Sequence, residues 1–153
     1  MENLLDIIEN TLKKQDYKYS RLEEGEMDVS IPPDYNLTIL LRNDYNILHF
    51  SIDLNIICPE DRLAVVEDSI VKVNERIWLG HFDLLSQDNR IVFSFSLPFA
   101  DTIVLDEDYI EEILLMICDE CDRFYHYFKM VLSDKQIPNF SIGTLFKIAI
   151  GEA

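Results

Sequence analysis

The sequence predicts one α+β domain in which helices pack on one face of a mostly antiparallel sheet. Three observations favour this class. The chain has 153 residues, 48% of them hydrophobic, which suits a single domain with one core. Its apolar residues alternate in short stretches joined by hairpin turns, as in antiparallel strands, and elsewhere they recur at helical spacing. The regular alternation of strand and helix that a doubly wound nucleotide-binding fold requires is missing from this pattern.

The first half of the chain begins with a helix, predicted over residues 2–15 because the apolar residues follow the helical period. A strand follows over residues 27–31 and ends before two consecutive prolines. Alternating apolar residues then predict a hairpin with arms at 37–41 and 48–54. Its turn, over residues 43–46, contains Asn and Asp, which tolerate positive φ.

The second half begins with a helix predicted from Pro59, which fits the first helical position, to Gly80, which can end a helix in the left-handed conformation. Five apolar residues step through it by three and four: Leu63, Val66, Ile70, Val73 and Ile77. A second hairpin is predicted over residues 82–97, with its turn at residues 87–89. The predicted order is therefore α-β-β-β-α-β-β-α, followed by a tail.

A long third helix, predicted over residues 106–132, carries more apolar surface than one core contact requires. Its buried stripe is predicted to contain Ile110, Ile113, Leu114, Ile117, Cys121, Phe124, Phe128 and Val131. Five apolar residues lie off that stripe: Leu115, Met116, Tyr125, Tyr127 and Met130. Such a surplus predicts an interface with another molecule. The whole chain, 1–153, is interpreted as one domain, and its C-terminal segment from about residue 138 is expected to pack as a tail.

Charge and cysteine content limit the class of partner and the compartment. The chain has 29 acidic and 13 basic residues, and its net charge of −16 argues against nucleic acid or an anionic membrane as the natural partner. Three cysteines provide no disulfide framework. The N-terminus has neither the basic nor the apolar region of a secretory signal, and no apolar run is long enough to span a bilayer. We therefore expect a cytoplasmic protein.

Cys118 and Cys121 form a Cys-x-x-Cys pair, a pattern that occurs in metal and redox sites. A structural zinc site needs four ligands, usually from two such pairs, and the sequence has no second pair. Cys58 and His126 complete a set only if the fold brings them close. Core packing is favoured because the pair lies within an apolar helical stripe, where a free cysteine acts as a small hydrophobe. We predict no metal site and no cofactor.

Two other groups of residues, the acids between residues 101 and 122 and the histidines, are candidates for a functional site. Nine acids and no base occur between residues 101 and 122, and they suit a solvated helix face or, alternatively, an acidic docking surface for a basic partner. The histidines His49, His81 and His126 lie far apart and match no catalytic signature, although a triad is defined by geometry rather than spacing. A glycine-rich phosphate-binding loop is also missing. We predict no catalytic residues.

The single tryptophan, Trp78, lies beside a predicted helix-to-strand corner. It is either a plug in the core or an anchor for a partner, because Trp and Tyr are enriched at interface hot spots. Together with the surplus apolar residues of the third helix, it gives a set of candidate partner-binding residues: Trp78, Phe82, Leu115, Met116, Tyr125 and Tyr127.

The run NERIWLGHFDLLSQDNRIVFSFSLPFA, residues 74–100, resembles the core signature of the YbjN domain family. The resemblance continues through the acidic residues 106–112 and through residues 122–125 at the aromatic end of the third helix. It covers most of the chain from about residue 5. The final Gly-Glu-Ala is similar to the ending of alphaproteobacterial members. The shared residues are typical of packing and turns, and none is catalytic.

The resemblance implies a fold similar to type III secretion chaperones, which are small, acidic α+β homodimers that hold a partially unfolded client. Members are often described as sensory transduction regulators. We therefore predict a non-enzymatic protein-binding module, chaperone-like or an adaptor or regulatory protein, acting through apolar surfaces or a sheet edge of a homodimer. The alternative is a sensory domain that binds a small ligand between sheet and helices. An enzyme is the third, least favoured, interpretation.

Overall fold

A computed structural model of the chain describes residues 3–100 and 104–133, which contain three helices and six strands. The helices are α1 (Leu4–Lys14), α2 (Leu63–Asn74) and α3 (Glu107–Ser133). The strands are β1 (Lys18–Arg21), β2 (Glu26–Ile31), β3 (Tyr35–Arg42), β4 (Ile47–Ile57), β5 (His81–Leu84) and β6 (Arg90–Pro98). The predicted tail from about residue 138 lies outside the described residues.

All six strands form one antiparallel sheet in the order β1-β2-β3-β4-β6-β5. The register aligns apolar residues across the sheet, since Leu37 pairs with Ile52, Ile52 with Phe93, and Phe93 with Phe82. Because side chains alternate along a strand, this register collects the apolar residues on one face. The helices cover that face, and α3 contacts both α1 and α2. The predicted α+β class, with helices on one face of an antiparallel sheet, is confirmed.

The structure adds one strand to the predicted order. β1 has only four residues and lies at the edge of the sheet, too short for its alternation to be read from sequence. Its pairing turns Tyr19 and Arg21 toward α1. The Tyr19 hydroxyl donates a hydrogen bond of 2.8 Å to Glu9, and the Arg21 guanidinium lies 2.7 Å from an Asp6 carboxylate oxygen. These contacts, together with partial burial of Tyr19, fix β1 to the first helix.

The second helix is shorter than predicted at both ends. Pro59 precedes a 3₁₀ turn over Glu60–Arg62, and α2 begins at Leu63. The Arg62 side chain donates a hydrogen bond to the Val131 carbonyl, which joins this turn to the end of α3. At the other end α2 stops at Asn74, so Gly80 does not end the helix. Gly80 does adopt the left-handed conformation, with φ of +68°, but in the link to β5.

The third helix agrees closely with its prediction, and its whole predicted stripe is buried. A cluster of rings forms the centre of the core beneath it. Phe82 makes edge-on contacts with Phe93, Phe124 and Phe128, at centroid distances of 5.1, 5.6 and 5.2 Å. Aromatic pairs of this geometry add about 0.5–1.5 kcal/mol each beyond their buried area. The Asp106 carboxylate caps the helix by accepting the Tyr109 backbone N–H at 2.9 Å.

The opposite face of the sheet carries polar side chains, as the alternation around Ser94 and Ser96 predicts. His49 and Ser96 are joined there by a hydrogen bond of 2.7 Å, and Arg90 pairs with Asp53 at 3.1 Å. Among the described residues, no helix is both long and apolar enough to cross a bilayer.

Candidate protein-binding site

The corner between α2 and β5 is held by side-chain and backbone contacts. The Asn74 amide accepts the Phe82 backbone N–H at 2.8 Å and donates to the Phe82 carbonyl at 2.9 Å. It thus pairs with β5 as a neighbouring strand would. Gly80 packs so closely on β6 that a Cβ atom there would lie 2.5 Å from the Ser94 carbonyl oxygen. The link over residues 75–80 is therefore fixed at both ends.

This corner presents Trp78 to solvent, with 97% of its surface exposed. Val71, on the last turns of α2, and Leu79, next in the link, are also exposed. Single exposed apolar side chains are common on folded proteins, but a group of large ones in one region suggests an interface. Because Trp78 is a surface residue on a constrained link, the interpretation of it as a core plug is wrong. We refer to Val71, Trp78 and Leu79 as the Trp78 corner.

The Trp78 corner lies beside a free edge of the sheet. β5 pairs with residues 91–94 of β6, whereas β4 pairs with β6 as far as Pro98. Within the described part of the chain, no strand pairs with the other side of residues 95–98. Unpaired backbone groups on an edge are able to accept another strand.

Two of the six predicted partner-binding residues are core residues in this fold. Phe82 is fully buried in the ring cluster described above, and Tyr127 is fully buried on the side of α3 that faces α2, near Ser69. Burial raises the pKa of Tyr127. The predictions for Phe82 and Tyr127 are therefore wrong for a partner that binds this conformation. Tyr127 is buried because α3 packs against α1 and α2 as well as the sheet, so its buried arc is wider than one stripe.

The outer side of α3 carries the next two candidates. Leu115 is 59% exposed and Met116 is 43% exposed. The exposed acids Glu112 and Asp119 lie one turn before and one turn after Leu115 on the same helix. An apolar pair flanked by carboxylates suits a segment that is apolar and basic. The last candidate, Tyr125, is half-buried, with its ring centroid 5.8 Å from that of Tyr35.

A groove of about 620 Å³ opens where the end of α1, the β2–β3 turn and the middle of α3 meet. It is lined by residues 15–18, residues 30–36, Cys118 and Asp122, and we call it the corner groove. At its base the Tyr35 hydroxyl donates a hydrogen bond of 2.9 Å to Asp122. Burial, and then this bond, raise the pKa of Tyr35. Tyr35 and Asp122 lie 87 positions apart, so no spacing in the sequence indicates this site.

Two of the three cysteines lie in the protein interior, and the third lines the corner groove. Cys121 is fully buried and Cys118 half-buried, both on α3, whereas Cys58 is buried at the end of β4. Burial, with a smaller contribution from the Asp122 charge, raises the pKa of the Cys118 thiol to about 12. Among the described residues, no group of three His, Cys, Asp or Glu side chains is placed to hold a metal ion.

The fold brings His49 and His81 to the same face of the sheet but leaves His126 apart from them. His49 and His81 lie on the open sheet face, while His126 lies on α3 beside Tyr125. His81 pairs with Asp83 at 2.9 Å, and His49 bonds Ser96 instead. These are two separate pairs rather than one Ser-His-Asp triad. Burial, followed by the charges of His81 and Arg42, lowers the pKa of His49.

Known structures with a similar fold were found by comparison. The chain is similar to the crystal structure of YbjN, "a putative transcription regulator from E. coli", with 12% identity over 85% of this chain and 89% of that one, and a TM-score of 0.53. It is also similar to a chain in the crystal structure of the ExsC-ExsE complex, with 15% identity over 82% of this chain and 96% of that one, and a TM-score of 0.53. The ExsC likeness confirms the expected type III secretion chaperone-like fold.

Sequence comparison gives the family. No curated protein sequence matches the chain. Residues 4–130 match the YbjN family, whose description is "Putative bacterial sensory transduction regulator". That match includes α1, all six strands, α2 and nearly all of α3. The resemblance found in residues 74–100 is thus confirmed over most of the chain, and the protein belongs to the YbjN family.

Proposed function

We propose that the protein is a cytoplasmic, non-enzymatic, protein-binding regulator or chaperone-like adaptor that acts as a homodimer. In this proposal the Trp78 corner and the free edge of β6 bind a second copy of the chain. The outer side of α3, around Leu115 and Met116, binds an extended client polypeptide.

The exposure of Trp78 carries the proposal. A tryptophan side chain left in water lacks the roughly 1.5–3 kcal/mol of stabilisation that burial of a large apolar side chain provides. The link that carries Trp78 is held in place by Asn74 and Gly80. Its backbone is therefore ordered in the free protein, and binding of a partner loses less conformational entropy. Preorganised aromatic anchors of this kind are typical of interface hot spots.

The free edge of β6 favours a second copy as the partner at this corner. Two identical antiparallel edges related by a two-fold axis pair with each other, since residue i of one faces residue j of the other and the reverse. The edge has only residues 95–98 available, so strand pairing alone is too short for a stable dimer. The apolar side chains of the Trp78 corner supply the remaining contact.

Charge favours a basic client on α3. The chain has a net charge of −16, and Leu115 and Met116 are flanked by carboxylates. Such a surface attracts positively charged segments and repels acidic ones. The likeness to a chain of the ExsC-ExsE complex shows the shared fold, and a protein partner is consistent with it.

The test uses light scattering coupled to gel filtration at tens of micromolar. The wild-type chain is expected to elute as a dimer and Trp78→Ser as a monomer. Leu22→Ser is the matched control, because Leu22 is also exposed but lies at the β1–β2 end of the sheet, far from β5. A monomeric wild type, or a Trp78→Ser variant as dimeric as the control, would contradict the homodimer.

A further variant, Leu115→Ser, tests the client separately. Affinity capture from the native cell is carried out with wild type, Leu115→Ser and Leu22→Ser, and the retained proteins are identified by mass spectrometry. The proposal expects one protein with a basic segment that Leu115→Ser loses and Leu22→Ser keeps. Equal recovery of all proteins by the three baits would contradict a client site on α3.

A further inference from the structure

We propose that the corner groove binds an organic cation, an ammonium or guanidinium group on a short apolar stem. This inference does not depend on the homodimer or on the client site proposed above. It concerns a different part of the molecule, bounded by α1, the β2–β3 turn and α3.

The size and walls of the groove suit a small organic group. Its volume of about 620 Å³ falls within the roughly 300–1,000 Å³ typical of small-molecule sites. Its lining includes the apolar residues Ile31, Pro32 and Pro33, together with Tyr17 and Cys118. A stem of a few carbon atoms would be removed from water by these groups.

The charge in the groove selects the sign of the ligand. Asp16, Asp34 and Asp122 line it, against Lys18 as the one cation among its lining residues. Asp122 is oriented by the Tyr35 hydroxyl, which binds Oδ1. Within the described residues its Oδ2 accepts no further hydrogen bond, so this oxygen is available to a donor from solvent. An anionic ligand would face the carboxylates and the overall charge of −16.

The phenols strengthen the preference for a cation. Burial raises the pKa of Tyr17, and the neighbouring Cys118 thiol and Glu111 carboxylate raise it further, so its ring remains neutral. Tyr35 is buried and stays protonated as the donor to Asp122. Neutral aromatic rings attract ammonium and guanidinium groups, and a carboxylate beside them provides the hydrogen bond.

Two sources share this chemistry: a free small amine, and the side chain of a lysine or arginine in a polypeptide. Both carry a terminal cation on an apolar stem. The probes therefore include 2-phenylethylammonium for the first and Nα-acetyl-lysine methylamide for the second. The neutral 2-phenylethanol and the anionic 3-phenylpropionate are the matched controls for charge.

The experiment is a titration of the ¹⁵N-labelled full chain followed by amide chemical shifts. We expect saturable shifts for a cationic probe, confined to the amides of residues 15–18 and 30–36 and those near Asp122. Tighter binding of the amine indicates a metabolite, and tighter binding of the lysine derivative indicates a peptide. The proposal is overturned if neither cation gives saturable shifts, or if the neutral or anionic control binds as well.

Paired variants test the role assigned to the carboxylate. Asp122→Asn keeps an oxygen for the Tyr35 bond but removes the charge, and is expected to weaken cation binding roughly fivefold. Asp44→Asn removes an exposed charge from the β3–β4 turn, outside the groove, and is expected to leave cation binding within about twofold of wild type. Equal weakening by both variants would mean non-specific attraction and would overturn the proposal. Retained shifts of the unliganded spectra show that both variants are folded.

Discussion

Replacement of Gly80 by alanine is expected to destabilise the protein by more than the same change at the other positive-φ glycine. Both Gly80 and Gly25 have φ in the left-handed region, at +68° and +84°. For an L-residue that conformation costs about 1–2 kcal/mol. The two sites differ in the space around the new methyl group, which allows the steric cost to be separated from the backbone cost.

The added Cβ at Gly80 would lie 2.5 Å from the Ser94 carbonyl oxygen and 2.6 Å from Cζ of Phe93. At Gly25 the nearest atom, the Leu41 carbonyl oxygen, is 3.0 Å away. Neither the β6 backbone nor a ring packed in the core yields easily, and overpacking of this kind costs about 1–3 kcal/mol. We therefore expect Gly80→Ala to lower the free energy of unfolding by about 2–5 kcal/mol, and Gly25→Ala by about 1–2 kcal/mol.

Urea denaturation of the two variants measures this difference, because the midpoint shifts while the slope is unchanged if both remain two-state. The fluorescence of Trp78, two residues from Gly80, reports whether the corner has moved. If Gly80→Ala is no more destabilising than Gly25→Ala, the close approach of the corner to β6 does not exist and the argument for a rigid Trp78 corner fails.

Three further predictions concern side-chain contacts. Asn74→Ala leaves the Phe82 N–H and C=O without their partners and is expected to cost about 1–3 kcal/mol in the same denaturation assay, and a cost near zero would mean that Asn74 does not hold the corner. Because burial raises the pKa of the Cys118 thiol from 9.0 to about 12, Cys118 should react with a thiol reagent at pH 8 at least roughly tenfold more slowly than a free cysteine; rapid labelling of this residue in the folded chain would contradict the raised pKa. Bonds from Tyr19, Lys13 and Arg21 lower the pKa of Glu9, so the stability it contributes is present above pH 4.5 and is lost as the pH falls through the lowered value. The stability difference between wild type and Glu9→Gln should therefore shrink in acid, and a difference that is constant with pH would refute this assignment.

Local periodicity predicted the elements whose apolar residues all lie on one face. The stripe of α3 and the apolar faces of β2, β3 and β4 follow directly from periods of 3.6 and 2, because these set the direction of each side chain. The same information placed the hairpin turns, where Asn46 and Asn89 adopt positive φ.

The length of α2 depends on contacts that the sequence does not reveal. Apolar residues at helical spacing continue to Ile77, and glycine commonly ends a helix. The helix was therefore predicted to extend to Gly80. In the fold the Asn74 amide instead pairs with the backbone of Phe82, which draws the chain away from the helix axis. A tertiary hydrogen bond thus overrides a local signal.

The exposure of the candidate partner-binding residues was predicted only in part. Trp78, Leu115 and Met116 are exposed as the partner hypothesis requires, whereas Phe82 and Tyr127 are core residues. Composition alone cannot separate these cases, because an aromatic residue at a corner or beside a stripe suits either environment. The corner groove was not foreseen, since its walls come from three segments that only the folded chain brings together.

The position of α3 at the end of the described chain affects how the protein is made. All six strands of the described residues leave the ribosome before Ile110, yet the ring of Phe82 packs edge-on against those of Phe124 and Phe128. Translation at 5–20 residues per second takes roughly 2–7 s to pass from Pro98 to Ser133. For those seconds the part of the sheet's inner face that α3 covers is open to other molecules near the exit tunnel. A chain truncated before α3 is therefore expected to expose apolar surface and to aggregate.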